Sequence, residues 1–510
     1  MNRWVVAMSV MLPTLIEIID TSVVNVALDH IRGSLSAGID EATWAITAYL
    51  VSNAIIIPLT GWLSRMFGRK LYLILSITVF TVSSFLCGSA WNLQSLIVFR
   101  IIQGIGGGAL QPLSQAILLE AFPHKQHGTA MALFGVGVMF GPIIGPLLGG
   151  WITDNWAWQW IFFINIPIGI LSVIMCMVCI TDPPYMQRTK MTVDYLGLTL
   201  LVVGLAAMQI VLEKGQGEDW FSSGYIFWLT VVSVASIIVF VVVECFFARS
   251  PIINFNVFRD VSFTTGNIVM FFAFFNLFAS IVLLPIYLQG IMGYTATMAG
   301  KVLGLGGIAT LLTMPVVGVL VNKVNPRWPM AAGILIASAS TYLLSQLNLY
   351  VDFNTVFLPR VLLGIGMGLL FIPLTTMTMS GIRREDMGNA TGIYNLLRNV
   401  GGSVGVAFVM TMVSRHSQTH QLQLTEHLSP FDRGYQMAAS YIARMLRYQG
   451  YGDYASARVA DGVIYGQTLK QAAVLAFNDA AYVIFAVMLC VLPLVFIMKR
   501  GKTPTQQGLH

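Results

Sequence analysis

The sequence predicts an all-α integral membrane protein with fourteen transmembrane helices. Of its 510 residues, 56% are hydrophobic and only 10% are charged, whereas a soluble globular domain carries about 25% charged residues. The mean hydropathy is +0.76. Fourteen apolar runs reach the length of about 20 residues that a helix needs to cross a bilayer. The composition therefore excludes an ordinary soluble domain.

The predicted spans follow one another through short connections, apart from one long polar segment near the end. They begin near Val5, Trp44, Leu71, Leu96, Gly128, Ile161, Tyr195, Ser222, Val261, Met298, Met330, Thr355, Asn389 and Gln471. Because their number is even, both termini are expected on one side. Among the short loops, only Arg32, Lys214 and Lys301 supply basic residues on the other side. Since basic loops stay inside, both termini are predicted to be cytoplasmic.

An internal repeat relates the two ends of the chain. Span 4 carries an arginine followed by glycines four, six and eight residues later, beginning at Arg100, and span 12 repeats this motif from Arg360, 260 residues further on. The same offset carries Gly141 onto Gly401. Chance similarity between glycine-rich helices is the alternative, but the shared offset argues against it. The predicted units are a six-helix half at 1–181, two inserted helices at 195–248 and a second six-helix half at 261–498. Such parallel halves suit a secondary transporter.

Span 5 has one face without side chains. Glycines four residues apart lie on the same helical face, where another backbone can approach closely, and those of this stripe are Gly137, Gly141, Gly145 and Gly149. Pro142 and Pro146 each remove a helical hydrogen bond. The stripe is either a static seam or a moving contact. The copy in span 13 has Gly402 where Pro142 stands, a difference that favours the moving contact.

Five motifs in order resemble those of the major facilitator superfamily, and within it the fourteen-span drug:proton antiporters of the EmrB-like branch. They occupy residues 15–28, 61–70, 100–108, 137–150 and 158–169. In the second, Gly61, Gly68 and Arg69 match the family's loop between spans 2 and 3, and together with the stripe of span 5 and Pro142 they are predicted to form a conformational motif. Arg65 departs from it, because the wider superfamily usually has an acidic residue there.

The resemblance implies an antiporter in the cell inner membrane that uses proton entry to export hydrophobic drugs. It implies no cofactor. The partners expected are hydrophobic small-molecule substrates, protons, the lipid bilayer, a periplasmic membrane-fusion adaptor and an outer-membrane channel. Nucleic acid is not expected, since the basic residues sit in short loops and form no patch.

Charged residues inside the predicted spans identify the candidate proton-coupling site. Glu17 and Asp20 are three residues apart, hence on one helical face, where ionised carboxylates are costly to keep. Each could gain or lose a proton when access alternates. We predict that Asp20 carries the proton, with Glu17 secondary, and that Arg100 or Arg398 tunes it. A fixed ion pair is the structural alternative, and it is the favoured interpretation of Arg360.

Polar residues on the core spans are candidates for a substrate cavity, although hydrogen bonding between helices is an alternative role for each. They are Asn25, Asn53, Gln103, Gln111, Gln115, Asn276 and Asn395. Span 9 also carries six phenylalanines that cannot all share one face. Phe275 is the one assigned to the cavity.

The polar segment 414–470 is predicted to lie on the periplasmic side. Its residues 436–449 have the spacing of an amphipathic helix, which suggests a cap or a docking surface for the adaptor. His416, His420 and His427 raise the question of a metal site. With one carboxylate, Glu426, between them and no cysteine pair nearby, no metal is expected.

Two other functions fit the same sequence. A transporter of this fold could export one endogenous metabolite, such as a siderophore or a fatty acid. A membrane scaffold that has lost transport is the other, but buried acids such as Glu17 and Asp20 argue against it. The sequence shows no catalytic constellation and no phosphate-binding loop, so an enzyme is not expected.

Overall fold

Every regular element in the described part of the protein is a helix. The computed structural model describes residues 2–123, 126–182, 194–248, 251–321, 323–426, 428–429 and 431–499. Within these residues, twelve helices are long and apolar enough to cross a membrane. The chain is therefore a multi-pass helical membrane protein, as its composition predicts.

The helices fall into three consecutive groups. The first helix set comprises α1 (Arg3–Ser34), α2 (Ile39–Ala42), α3 (Trp44–Phe67), α4 (Arg69–Gly88), α5 (Leu93–Gly107), α6 (Leu110–Ala121), α7 (His127–Asn155), α8 (Trp160–Phe163) and α9 (Asn165–Cys179). The inserted pair comprises α10 (Tyr195–Lys214) and α11 (Gly224–Phe246). The second helix set comprises α12 (Val261–Pro285), α13 (Ala296–Leu320), α14 (Arg327–Leu344), α15 (Phe357–Met379), α16 (Met387–Glu426), α17 (Arg433–Tyr448), α18 (Asp453–Cys490) and α19 (Leu492–Ile497).

Helices occupy all fourteen predicted span positions, and the two positions outside the twelve spans are those of α7 and α14. Helix α7 itself has 29 residues. In α7, only the apolar stretch His127–Met139 stands out among residues whose side chains are described. The side chains of Pro142 and Pro146 lie outside the described ones. The other helix, α14, has only 18 residues and includes Ser338, Ser340 and Thr341.

Glycines that correspond in the two copies of the repeat pack against corresponding helices. A Cβ on Gly104 of α5 would lie 2.6 Å from the Tyr49 carbonyl oxygen of α3, and one on Gly364 of α15 would lie 2.1 Å from the Gly306 carbonyl oxygen of α13. Both glycines therefore let a helix backbone approach where no side chain would fit. The motif is a packing device that both helix sets use.

The glycine stripe of span 5 packs against α1 inside the first helix set, and movement along this contact stays a prediction. A Cβ on Gly137 would lie 2.2 Å from Met11 Cε, and one on Gly141 would lie 2.2 Å from Ile18 Cγ2. Further along α1, a Cβ on Gly145 would lie 2.3 Å from Ser22 Cβ, and Gly149 faces Val23. The stripe thus brings α7 against α1, which belongs to the same set. The spacing of four predicts the shared face correctly but does not identify the partner helix.

The two helix sets meet at the end of the bundle where α1 begins and α3 ends, which we call the proximal end. A Cβ on Gly61 of α3 would lie 2.6 Å from Asn389 Cα of α16, and one on Gly318 of α13 would lie 2.8 Å from Ala132 Cβ of α7. Backbone therefore meets backbone across the junction. Gly61 belongs to the motif predicted to matter for conformational change, and its place at this junction fits that role.

The rest of that motif shapes the turn between α3 and α4. Gly68 alone separates these two helices, and its φ of +87° is a conformation that favours glycine. Arg69 opens α4 and forms an ion pair with Glu120 at the end of α6. The glycine sets the direction of the turn, and the ion pair fastens it to a neighbouring helix.

The polar segment 414–470 is largely helical. The helix that begins at Met387 continues without a break to Glu426, and the last span helix begins at Asp453, 18 residues before the predicted start at Gln471. Helix α17 lies between them and includes most of the predicted amphipathic stretch. The two span helices thus extend beyond the bundle as a helical projection at its distal end.

A leucine at position 145 tests the seam between α1 and α7. We expect Gly145→Leu to destabilise the protein by roughly 1–3 kcal/mol, because overpacking a close contact forces the helices apart. The measurement is the unfolding temperature of the purified protein in detergent. Gly150→Leu is the control, since a Cβ there meets nothing within 4 Å. A Gly145→Leu protein of normal stability that no longer transports would instead support a moving contact.

Candidate functional site

Two clusters of buried polar side chains meet helix α1 at adjacent turns. Glu17 and Asp20 are only 3% and 1% exposed, and they share no hydrogen-bond partner among the described residues. We call their surroundings the Glu17 cluster and the Asp20 cluster. The three-residue spacing places both carboxylates on one side of α1, as predicted.

The Asp20 cluster is a complete ion pair within the first helix set. Arg100 Nη1 donates to Asp20 Oδ2 at 2.6 Å. Gln103 Nε2 and Asn165 Nδ2 donate to Oδ1 at 3.0 and 2.7 Å. The Arg100 guanidinium also lies 4.2 Å from the centroid of the Tyr49 ring. Both carboxylate oxygens thus have donors on helices α5 and α9, and one of these hydrogen bonds is charge-assisted.

The Glu17 cluster spans the junction between the two helix sets. Tyr49 Oη and Asn53 Nδ2 of α3 donate to Glu17 Oε1 at 3.1 and 3.2 Å. Gln111 Nε2 of α6 donates to Oε2 at 2.6 Å. Arg398 of α16 in turn donates through Nη2 to Gln111 Oε1. Gln111 therefore bridges an acid of the first set to a cation of the second.

A second polar bridge lies beside the first. Asn395 Nδ2 of α16 donates to Gln115 Oε1 of α6 at 2.6 Å. The two glutamines are four residues apart on α6, and Asn395 and Arg398 are three apart on α16, so each pair occupies one helical face. The hydrogen bonds Arg398–Gln111 and Asn395–Gln115 thus join the two helix sets here. They lie further from the proximal end than the contact at Gly61.

The remaining predicted site residues lie elsewhere. Asn25 is exposed. Asn276 is fully buried and accepts a hydrogen bond from Ser280 Oγ at 3.3 Å. The Phe275 ring centroid lies 5.4 Å from that of Phe408 in the seam between α12 and α16, and the assignment of Phe275 to a cavity stays a prediction. A Cβ on Gly405 would lie 2.5 Å from the Phe275 carbonyl oxygen, so the two helix backbones are in close contact here.

Arg360 does not form the predicted ion pair. Its side chain is buried, and none of the ion pairs among the described residues includes it. Arg100 occupies the equivalent position of the repeat and has Asp20 as its partner. The repeat thus preserves the arginine without preserving its carboxylate.

Two members of the clusters escape the sequence prediction. Tyr49 lies one helical turn before Asn53 on α3. It donates a hydrogen bond to Glu17, and its ring lies against Arg100 of the Asp20 cluster. Its spacing of four from Asn53 is the signal that could have revealed it. Asn165 lies inside the motif at 158–169, but no spacing rule connects it with Asp20, which is 145 residues earlier.

A third cluster lies apart from both, at the base of the distal projection. His416 and His420 of α16 converge on Asp479 of α18. Asp479 lies in the last span, outside the segment that raised the metal question. His427 lies outside the described residues. We call this group the distal histidine cluster.

A helical membrane bundle with a repeated packing motif and ionisable groups buried between its helix sets is typical of secondary transporters. Comparison with known proteins agrees. The family model of the Major Facilitator Superfamily matches residues 10–406, and the chain belongs to that family.

Its relatives include bacterial export proteins of similar length. The chain is 35% identical to the fatty acid resistance protein FarB of Neisseria gonorrhoeae, covering 97% of this chain and 96% of the relative. It is 34% identical to the multidrug export protein EmrB of Escherichia coli strain K12, covering 97% and 95%. Among solved structures, the human organic anion transporter MFSD10 has the same fold, with a TM-score of 0.60, 12% identity and coverage of 96% of this chain and all of the other.

Removing Arg100 tests whether the Asp20 cluster holds the first helix set together. We expect Arg100→Ala to cost roughly 3–5 kcal/mol of stability, because it leaves Asp20 buried without its cation. Unfolding temperature and monodisperse yield measure the loss. Arg360→Met is the matched control and should cost much less, since that arginine has no carboxylate partner among the described residues. An Arg100→Ala protein as stable as the wild type would contradict the structural role.

Proposed function

We propose that this protein is a proton-coupled antiporter that exports hydrophobic and amphipathic toxic compounds across the inner membrane. Two kinds of observation support the proposal. Relatives that match nearly the whole chain are named for multidrug export and for fatty acid resistance. The observation that carries it is the Glu17 cluster, in which a buried acid is linked to the opposite helix set through Gln111 and Arg398.

The proposed mechanism gives Glu17 the proton and Asp20 a supporting role, the reverse of the order predicted from sequence. Asp20 has an arginine and two amides as donors within one helix set, so motion between the sets leaves its hydrogen bonds in place. Glu17 accepts a hydrogen bond from Gln111, which in turn accepts one from Arg398 of the other set, so the surroundings of Glu17 change whenever the two sets separate. A group whose environment alternates with conformation is the one suited to exchange a proton.

The cycle then follows from charge. With Glu17 ionised, attraction to Arg398 and the bridge through Gln111 favour contact between the sets. Protonation removes the negative charge and weakens that attraction, so the sets can rearrange around the site. On the other side Glu17 releases the proton, and the contact forms again. Substrate that displaces Gln111 from Arg398 would compete with the same interaction, which couples export to proton entry.

We further propose fourteen crossings with both termini in the cytoplasm. The helices at all fourteen predicted positions and the basic short loops support this topology. The proposed units are residues 1–181 and 261–498 as two halves and 195–248 as an inserted pair. The polar segment 414–470 would then project into the periplasm.

The chemistry of Arg398 suits anionic amphipathic substrates. It is buried, and its Nη1 has no hydrogen-bond partner among the described residues. A carboxylate could occupy that position, and the likeness to a fatty acid resistance protein favours dedicated fatty acid export as the second candidate function. Export of a panel of drugs and long-chain fatty acids by cells without their own pumps separates the two.

Replacing Glu17 tests the proposed coupling. We expect Glu17→Gln to lower drug-induced proton release from proteoliposomes at least about tenfold, because the amide keeps the shape of the carboxyl group but cannot carry a proton. The matched control is Glu244→Gln, which changes a buried carboxyl on α11, outside both clusters. Both variants should fold.

Full proton release by Glu17→Gln would exclude Glu17 as the carrier. If only Asp20→Asn then abolished release while remaining folded, the order predicted from sequence would be correct. Loss of release in Glu244→Gln as well would indicate a general effect of removing membrane carboxyls.

We also propose that helix α17 contacts a periplasmic adaptor. It rests on the protein through Ala443, which is 5% exposed. The other side presents an apolar and aromatic face made of Met437, Tyr441, Met445 and Tyr448, all of them exposed. Exposed methionine and tyrosine in one patch are typical of a protein contact. This exposed apolar and aromatic face and the resemblance to EmrB-like exporters together support an adaptor as the partner of α17.

Adding charge to this face should impair delivery of the drug to the adaptor without impairing transport across the inner membrane. We expect Tyr441→Glu with Met445→Glu to lower drug resistance of intact cells that carry the adaptor by about tenfold, the equivalent of roughly 1.4 kcal/mol of binding. Proton release from proteoliposomes should stay unchanged. Ser440→Glu, beside the face, is the control. Unaltered resistance in the double variant would count against the docking surface.

A further inference from the structure

The distal histidine cluster brings three metal-ligand atoms together from two helices. His416 Nδ1 and His420 Nε2 each lie 2.8 Å from Asp479 Oδ2, and the three atoms all lie within 4.8 Å of one another. The two histidines are four residues apart on α16, so their rings project from one face one turn apart. Asp479 faces them from α18.

We propose that this cluster is a binding site for a zinc ion. Two imidazoles and one carboxylate make a three-ligand set that zinc accepts when a water fills the fourth position. The side chains of His416, His420 and Asp479 are 40%, 21% and 41% exposed. A dissolved ion and its water ligand can therefore reach all three.

The surroundings hold the two helices at the spacing that such a site needs. Gln421 Nε2 of α16 donates to Tyr465 Oη of α18 at 2.8 Å, further along the same projection. Zinc bonds nitrogen and oxygen at about 2.0–2.2 Å, so ligand atoms that share an ion lie somewhat more than 3 Å apart. Small rotations of the three side chains convert the present arrangement into that geometry without moving either helix.

The alternative is a clasp of hydrogen bonds. In it both rings would donate to the same carboxylate oxygen, and no ion would be needed. The first helix set offers a comparison, because His30 and Asp154 approach to 4.0 Å at the distal ends of α1 and α7. That pair has no third ligand among the described residues. It can form an ion pair but should bind zinc poorly.

Zinc would brace the helix that carries Arg398. The helix α16 runs without a break from that arginine to His416, 18 residues later, a distance of about 27 Å. An ion between α16 and α18 would therefore fix the distal end of the helix whose other part joins the two helix sets.

Zinc titration of the purified full-length protein tests the proposal. After removal of metals with a chelator, isothermal titration with zinc chloride should show one site that Asp479→Asn and His420→Ala weaken at least tenfold. His30→Ala should bind as the wild type does. Zinc should also raise the unfolding temperature of the wild type and leave that of Asp479→Asn unchanged.

His416→Cys distinguishes an ion from a clasp. The thiolate sulfur lies one bond nearer the backbone than Nδ1, and the longer Zn–S bond of about 2.3 Å offsets part of that difference. A thiolate is a strong zinc ligand, whereas a thiol is a weak hydrogen-bond donor. We therefore expect this variant to retain zinc binding. The proposal is wrong if the wild type binds no zinc, or if Asp479→Asn loses stability in chelator while zinc leaves the wild type unaffected.

Discussion

The cost of burying charge among membrane helices is the constraint on which this structure depends. A carboxylate placed there needs partners on neighbouring helices, because lipid supplies none. Asp20 obtains them from α5 and α9, and in doing so it fixes α1 within the first helix set. Once α1 is fixed, the glycine stripe of α7 can pack against it, and the other acid of α1 is left to face the junction. The contacts of Asp20 thus fix the position of Glu17, the proposed proton carrier, on the adjacent turn.

Two acids of nearly the same depth differ through their surroundings. Asp20 has an arginine at hydrogen-bond distance, whereas Glu17 reaches its arginine only through an intervening amide. A direct, dry ion pair is hard to separate, while a bridged one needs only the rotation of a glutamine side chain. Gln111 therefore has a larger influence on the proposed exchange than its neutral charge suggests.

Much of the fold follows from periodicity, and much of the site does not. Apolar runs of the length of a span locate helices at every predicted position, and the glycines of the repeat predict close packing at Gly104 and Gly364. Which helix receives a glycine stripe is a property of the assembled bundle, so the spacing of four does not identify α1 as the partner of Gly145. The pairing of Asn165 with Asp20 joins distant parts of the chain and has no sequence signal. The distal histidines lie in the polar segment between spans 13 and 14, whereas their partner Asp479 lies in an apolar span, so no local sequence pattern connects them.

The inserted pair changes the symmetry of the whole molecule. Helix α10 contacts both α3 and α16, and it is held by a hydrogen bond from Gln209 to Ser403 at 3.0 Å and by one from Lys214 to Thr43. Helix α10 therefore covers the junction between the two helix sets along this side. This flank of the junction is thus closed to lipid, and any relative motion of the two sets has to carry α10 with one of them and break its contacts with the other.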